Sequence, residues 1–256
     1  MQEQSNISDV YHIRKETSEY IDLRIIEVQK HYEDRIESIR KIEEKYFQLL
    51  CLFSLIDSLA QEYSNYSRGH EQKKFTIFVL EFQNKWDFLE NTDPITFYYD
   101  VQEQLGDALN LDFLIEGNVY SPQFMIKSGM TEKITECLDT KGQPYIDEYK
   151  RKHRYVDLLY KMRSKLSHEL STSGSISPMG LGELVPLPYY LSVSRVYSID
   201  ENIIEDDIWE LVIPVEFIER LLRDCLGNYL KFCRETQRDP FSNNKFERKF
   251  RLAWYD

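Results

Sequence analysis

Arg163 and His168 are the two residues whose types and spacing could do chemistry together. An ordinary histidine titrates near pH ~6.5, so it can take a proton from a ribose 2′-hydroxyl or return one to a leaving oxygen. Arginine keeps its charge and forks onto phosphate, where negative charge grows in the transition state. A phosphodiester is the bond such a pair would cut, and the reaction needs no metal. The surroundings carry the matching charge. Between Lys150 and His168 stand seven basic residues, Lys150, Arg151, Lys152, Arg154, Lys161, Arg163 and Lys165, against Asp157 as the one acid. At about 100° per residue, Arg154, Lys161, Lys165 and His168 fall in one stripe beside the apolar face. A phosphate backbone can lie along such a stripe. An ordinary solvated helix face has the same pattern.

The element that must position these residues is a helix over about 146–170. Tyr155, Leu158, Leu159, Met162 and Leu166 recur at i, i+3, i+4, i+7 and i+11. Ser171-Thr172-Ser173-Gly174-Ser175 ends it. The stretch Arg163-Ser164-Lys165-Leu166-Ser167-His168, an R-x4-H pattern late in a helix, resembles the active-site motif of HEPN-domain proteins. Ser164 stands where that family often has asparagine or another polar residue. The motif covers six residues, and the resemblance extends over roughly 45–235. It implies a metal-independent endoribonuclease with a toxin-like or antiviral role. His168 would be general base or acid, Arg163 the phosphate clamp and Ser164 an orienting neighbour, with Arg154, Lys161 and Lys165 on the RNA backbone. No cofactor or metal is expected. Five residues turn a straight helix by about 500°, which sets Arg163 and His168 about 140° apart. The pair therefore needs an unwound last turn, or a homodimer that pools two motifs, as family members commonly form.

The rest of the chain reads as mainly α, an antiparallel helical bundle with a small β-hairpin near 189–212. Only nine glycines and eight prolines in 256 residues favour long helices over a turn-rich β fold. Residues 8–66 have helical periodicity. Tyr32, Ile36, Ile39, Glu43, Tyr46, Leu50 and Phe53 form a stripe that only Glu43 breaks, in one long helix or two in series. Residues 1–45 read as a charged N-terminal helix, which either projects as an arm or packs on its own domain. Residues 46–238 form the bundle, and 239–256 a basic, aromatic tail. A second helix is expected over 71–90. Asp93 and Pro94 cap and open a third. Thr131–Leu138 makes another, and Asp112 and Glu116 could share a helix face. Tyr189–Tyr197 and Ile208–Val212 alternate as strands around an acidic turn at Glu205-Asp206-Asp207. Pro214 opens a last helix to about Phe232.

Composition sets limits. A net charge of −12 means that any RNA is held by a local basic patch and not by the average field. Cys51, Cys137, Cys225 and Cys233 have no metal-like spacing and read as reduced thiols among apolar neighbours. His12, His31, His70 and His153 are scattered without ligand partners. The start lacks a signal peptide, and the apolar run Leu49–Ala60, broken by Ser54, Asp57 and Ser58, is too short to span a bilayer. A cytoplasmic location is expected. The alternative function is a non-catalytic interaction module, docking a regulatory partner protein through the helix at 8–45 or the acidic segment 200–210. A third is partnership with a nucleotidylyl-transfer enzyme, which related bundles often accompany.

Overall fold

The structure is a computed structural model, and it describes residues 18–64, 70–169, 176–177, 185–199 and 202–241. The described residues are mainly helical, with one small sheet. In chain order they form α1 (Ser18–Ile39), α2 (Lys45–Tyr63), α3 (Glu71–Phe82), α4 (Pro94–Leu105), α5 (Pro122–Lys127), α6 (Met130–Thr140), α7 (Ile146–Lys152) and α8 (Tyr155–Glu169). The strands β1 (Ile176–Ser177), β2 (Tyr189–Ile199) and β3 (Asn202–Val212) precede α9 (Val215–Glu235). None of these helices is long and apolar enough to cross a membrane.

The periodicity over 8–66 resolves into two helices. Residues 40–44 interrupt it, and the Glu44 carboxylate accepts from the Phe47 N–H at 2.9 Å to cap α2. Ile21, Ile25, Val28, Tyr32, Ile36 and Ile39 line the buried face of α1. That face lies against α9 and α2, so the described part of the N-terminal segment is packed on the body. Residues 1–17, the remainder of that expected arm, lie outside the described residues. Helix α9 sits at the centre, touching α1, α2 and α3. Its stripe Phe217, Leu221, Leu222, Cys225, Leu226, Tyr229 and Leu230 is buried, as its period demands. Cys225 and Cys233 are buried free thiols, and Cys51 and Cys137 are half-buried free thiols. A smaller cluster, with Phe97, Val101, Leu105, Met130 and Ile134, joins α4 to α6.

Three expected boundaries move. The helix expected over 71–90 ends at Phe82. Gln83 folds its side chain back to accept from the Trp86 N–H at 2.8 Å, and a short 3₁₀ turn over Asp87–Glu90 follows. The helix expected over 146–170 is divided at His153-Arg154 into α7 and α8. There the His153 carbonyl accepts from Asp93 N at 2.8 Å, and Tyr155 N donates to Asn91 O at 3.0 Å. Backbone committed to segment 91–93 cannot also continue the helical ladder. The helix expected from Thr131 starts at Met130 instead, after Gly129 in the left-handed region at φ 70°.

The sheet order is β1-β3-β2, with β1 parallel to β3 and β2 antiparallel to it. The hairpin register pairs Tyr189 with Val212 at the base and Ile199 with Asn202 at the tip. Glu205, Asp206 and Asp207, read from sequence as a turn, therefore lie inside β3, opposite Val196, Arg195 and Ser194. Most of the basic tail lies outside the described residues.

Candidate functional site

Helix α8 buries Tyr155, Val156, Leu158, Leu159, Met162 and Leu166, together with the polar Asp157. It runs unbroken through Glu169, so His168 sits in regular helix. The Ser171–Gly174 break lies outside the described residues. On an unbroken helix Arg163 and His168 point about 140° apart.

Their surroundings differ accordingly. Arg163 leans toward α2, where its Nε donates to Asp57 Oδ2 at 2.5 Å. Its guanidinium also lies 5.7 Å from the centre of the Tyr160 ring. The Arg163 side chain is 25% exposed and that of Asp57 16%, so the pair is partly desolvated. Burial pushes the Asp57 carboxyl pKa up, and the Arg163 charge and hydrogen bond oppose it. His168 is exposed and makes no side-chain hydrogen bond among the described residues. Ser164 is half-buried and likewise without a bond there. It is Ser167 whose hydroxyl bonds to the motif, donating to the Arg163 carbonyl at 2.9 Å.

The expected phosphate-binding stripe is unequally available. Arg154 precedes α8 and donates through Nε to Asp157 Oδ2 at 2.7 Å. Asp157 is buried and also accepts from Gln72 at 3.1 Å and Thr76 at 3.4 Å. Arg154 thus belongs to an internal polar network. Lys165 pairs with Glu169 at 2.8 Å, one helical turn on. Lys161 has no ion pair among the described residues. Burial lowers its pKa, and Asp100 and Asp157 pull the other way.

Two polar assemblies nearby were not anticipated. Asp93 caps α4 by accepting from Ile95 N at 3.1 Å and Thr96 N at 3.3 Å. The Tyr190 hydroxyl of β2 donates to the same carboxylate at 2.5 Å, and Tyr155 of α8 bonds Tyr190 in turn. All three side chains are buried. Burial pushes the Asp93 pKa up, against the hydrogen bonds that hold it down. His153, read from sequence as an isolated histidine, is buried between Thr96 Oγ1 at 3.3 Å and Asp100 Oδ2 at 2.9 Å. With both ring nitrogens occupied it is a positioning group for α4 and α8. Its pKa is lowered by burial, with Asp100 opposing.

One signal marks Asp57 in the sequence, a lone acid inside an apolar run. Nothing local marked its partner 106 residues away. Asp112 and Glu116, expected on a shared helix face, lie instead in the irregular segment between α4 and α5. Glu116 there faces Asp207 of β3, whose carboxyl raises the Glu116 pKa. Of the remaining histidines, His12 lies outside the described residues. His31 stacks edge-on against Tyr32, and His70 precedes α3. Compared with protein-family models, curated proteins and solved structures, the chain gives no match.

Proposed function

We propose that the protein is a metal-independent endoribonuclease of the HEPN type, with its site formed where two copies bring their α8 helices together. The observation that carries this reading is the Asp57–Arg163 pair. Asp57 holds the guanidinium through Nε, which leaves the outer nitrogens to fork onto a phosphate. On a straight α8, Arg163 and His168 of one copy diverge, so a second copy is needed to complete the site. His168 would take the proton of the ribose 2′-hydroxyl. The freed oxygen attacks phosphorus and the bond to the 5′-oxygen breaks. The departing oxygen is protonated by His168 of the second copy, leaving a cyclic phosphate and a 5′-hydroxyl. Arg163 would stabilise the negative charge on the non-bridging oxygens of the pentacoordinate phosphorus. Lys161, the cation of the stripe without an ion pair among the described residues, is the best placed to hold the RNA backbone. By family resemblance the role would be toxin-like or antiviral.

The second reading is a non-catalytic docking module, and the same divergence of Arg163 and His168 favours it. One experiment separates the two. Wild-type and His168→Ala proteins are incubated with total RNA in EDTA, and the products' ends are analysed. Cleavage by wild type alone, leaving cyclic-phosphate ends, is the expected result. Cleavage retained by His168→Ala, with helix content unchanged, would sink the ribonuclease assignment. Intact RNA with both proteins would favour the docking module.

A further inference from the structure

The segment between α4 and α5, with the first turn of α5, exposes several large apolar residues close together in sequence. Phe113 is 43% exposed, Ile115 64%, Val119 41% and Phe124 45%. Tyr120 ties them together. Its ring stacks on Phe124 with centroids 4.8 Å apart, and its hydroxyl accepts from Ile115 N at 2.9 Å. Phe113 and Phe124 line an open groove of about 480 Å³ with Leu109 and Met130. Scattered exposed apolar residues are ordinary, but a contiguous patch is a contact surface. Its rim is acidic. Asp112 and the Glu116–Asp207 carboxyl pair border it, and no lysine or arginine occurs from Asp112 to Ile126.

The chain carries a segment of the opposite character. Residues 242–256 hold Lys245, Arg248, Lys249 and Arg251 against two acids, together with Phe246, Phe250, Trp254 and Tyr255. This segment lies outside the described residues. It leaves the body after Phe241, close to the C-terminal end of α9, where Tyr229 Oη donates to Pro240 O at 2.9 Å. The patch lies toward the other end of α9. The Tyr120 ring is 5.5 Å from Trp209, shortly before Pro214 starts that helix. The 21 residues of α9 rise about 30 Å. Thirteen residues lead from Phe241 to Trp254, an extended reach of about 43 Å. Phe246, five residues on, reaches about 17 Å and falls short.

We propose that the end of the C-terminal segment folds back within its own chain and covers this patch, placing Trp254 and Tyr255 over Phe113 and Ile115, with Lys249 and Arg251 facing the acidic rim. Length, charge and aromatic content each fit this occupant. The assignment is independent of the ribonuclease reading.

The full chain tests it by fluorine NMR with 5-fluorotryptophan. The protein has three tryptophans, Trp86, Trp209 and Trp254, and Trp254→Phe assigns the third line. In the wild type the Trp254 line is expected away from the free-indole position and unchanged on dilution. Ile115→Ser and Phe113→Ser, both at exposed positions, should each return it to the free position, as should the charge reversal Lys249→Glu with Arg251→Glu. A Trp254 line at the free position in the wild type overturns the proposal. So does a shifted line that neither serine substitution moves, or one that returns on dilution, which would place the segment on a second copy. A dimer lost on Ile115→Ser without change at Trp254 also overturns it, since a second copy would then cover the patch.

Discussion

Replacing Tyr190 by phenylalanine removes one oxygen from a fully buried chain of hydrogen bonds that ends on the Asp93 carboxylate, an acceptor that orients the protons behind it. Tyr190 has a single hydroxyl hydrogen, which goes to Asp93. Tyr155 must therefore be the donor in its bond to Tyr190. The two Tyr→Phe variants are then unequal. Tyr155→Phe removes one neutral bond and leaves Asp93 with its hydroxyl donor, a loss of about 1 kcal/mol. Tyr190→Phe takes a donor from a buried carboxylate, about 1.5–3 kcal/mol, and strands the Tyr155 hydroxyl, about 1–3 kcal/mol more. The expected loss is about 3 kcal/mol or greater. At about 2–4 °C per kcal/mol for a chain of this size, Tm should fall by about 6–12 °C, against about 2–4 °C for Tyr155→Phe. The pH dependence adds a second test. Asp93 has a raised pKa in the fold, so its contribution to stability is fully present below the unfolded value and is lost as pH rises through the folded value. Losing the Tyr190 bond raises that pKa further, so the deficit of Tyr190→Phe should be larger at pH 8 than at pH 5. Urea unfolding followed by circular dichroism at both pH values measures this. Equal losses for the two variants, or a deficit that grows on acidification, would refute the reasoning.

Further outcomes test other parts of the fold. Ile36→Ala should cost about 2–5 kcal/mol in urea unfolding, because Ile36 is fully buried in the face that α1 packs on α9 and α2. A loss under about 0.5 kcal/mol, the range of surface substitutions, would mean that α1 is not part of the core. His153 has a lowered pKa in the fold, so its contribution is present above the unfolded value near 6.5 and is lost as pH falls through the folded value. His153→Gln should therefore flatten the decline in Tm below pH 6.5, and an unchanged acid limb would count against the buried neutral imidazole.

Periodic segments were legible from sequence because their information is local. The stripes of α8 and α9 and the Asp93–Pro94 start of α4 follow from spacing and capping alone. Boundaries set by distant partners were not. Helical propensity runs straight through His153 and Arg154, and only segment 91–93 divides the helix there. Glu205-Asp206-Asp207 looks like a turn by composition, but hairpin register is set by its base, where Tyr190 is tied to Asp93 and Tyr120. The candidate site divides the same way. R-x4-H is a pattern within one helix and could be read directly. Asp57, which holds Arg163, stands on another helix, and the commitment of Arg154 to Asp157 depends on Gln72 and Thr76 from α3.

The pairing of α1 with α9 has a consequence for synthesis on the ribosome. Asp22 and Arg234 meet at 3.0 Å, although 212 residues separate them in sequence. The helix that joins α1 to the core is the last of the described helices in chain order. Helices α2 and α3 can pack on each other and on α8 beforehand, but until α9 emerges from the exit tunnel the part of α1, α2 and α3 that it covers stays unburied. Packing of α1 in its native place therefore waits until α9 has been made, and the nascent chain presents the uncovered surface to chaperones until then.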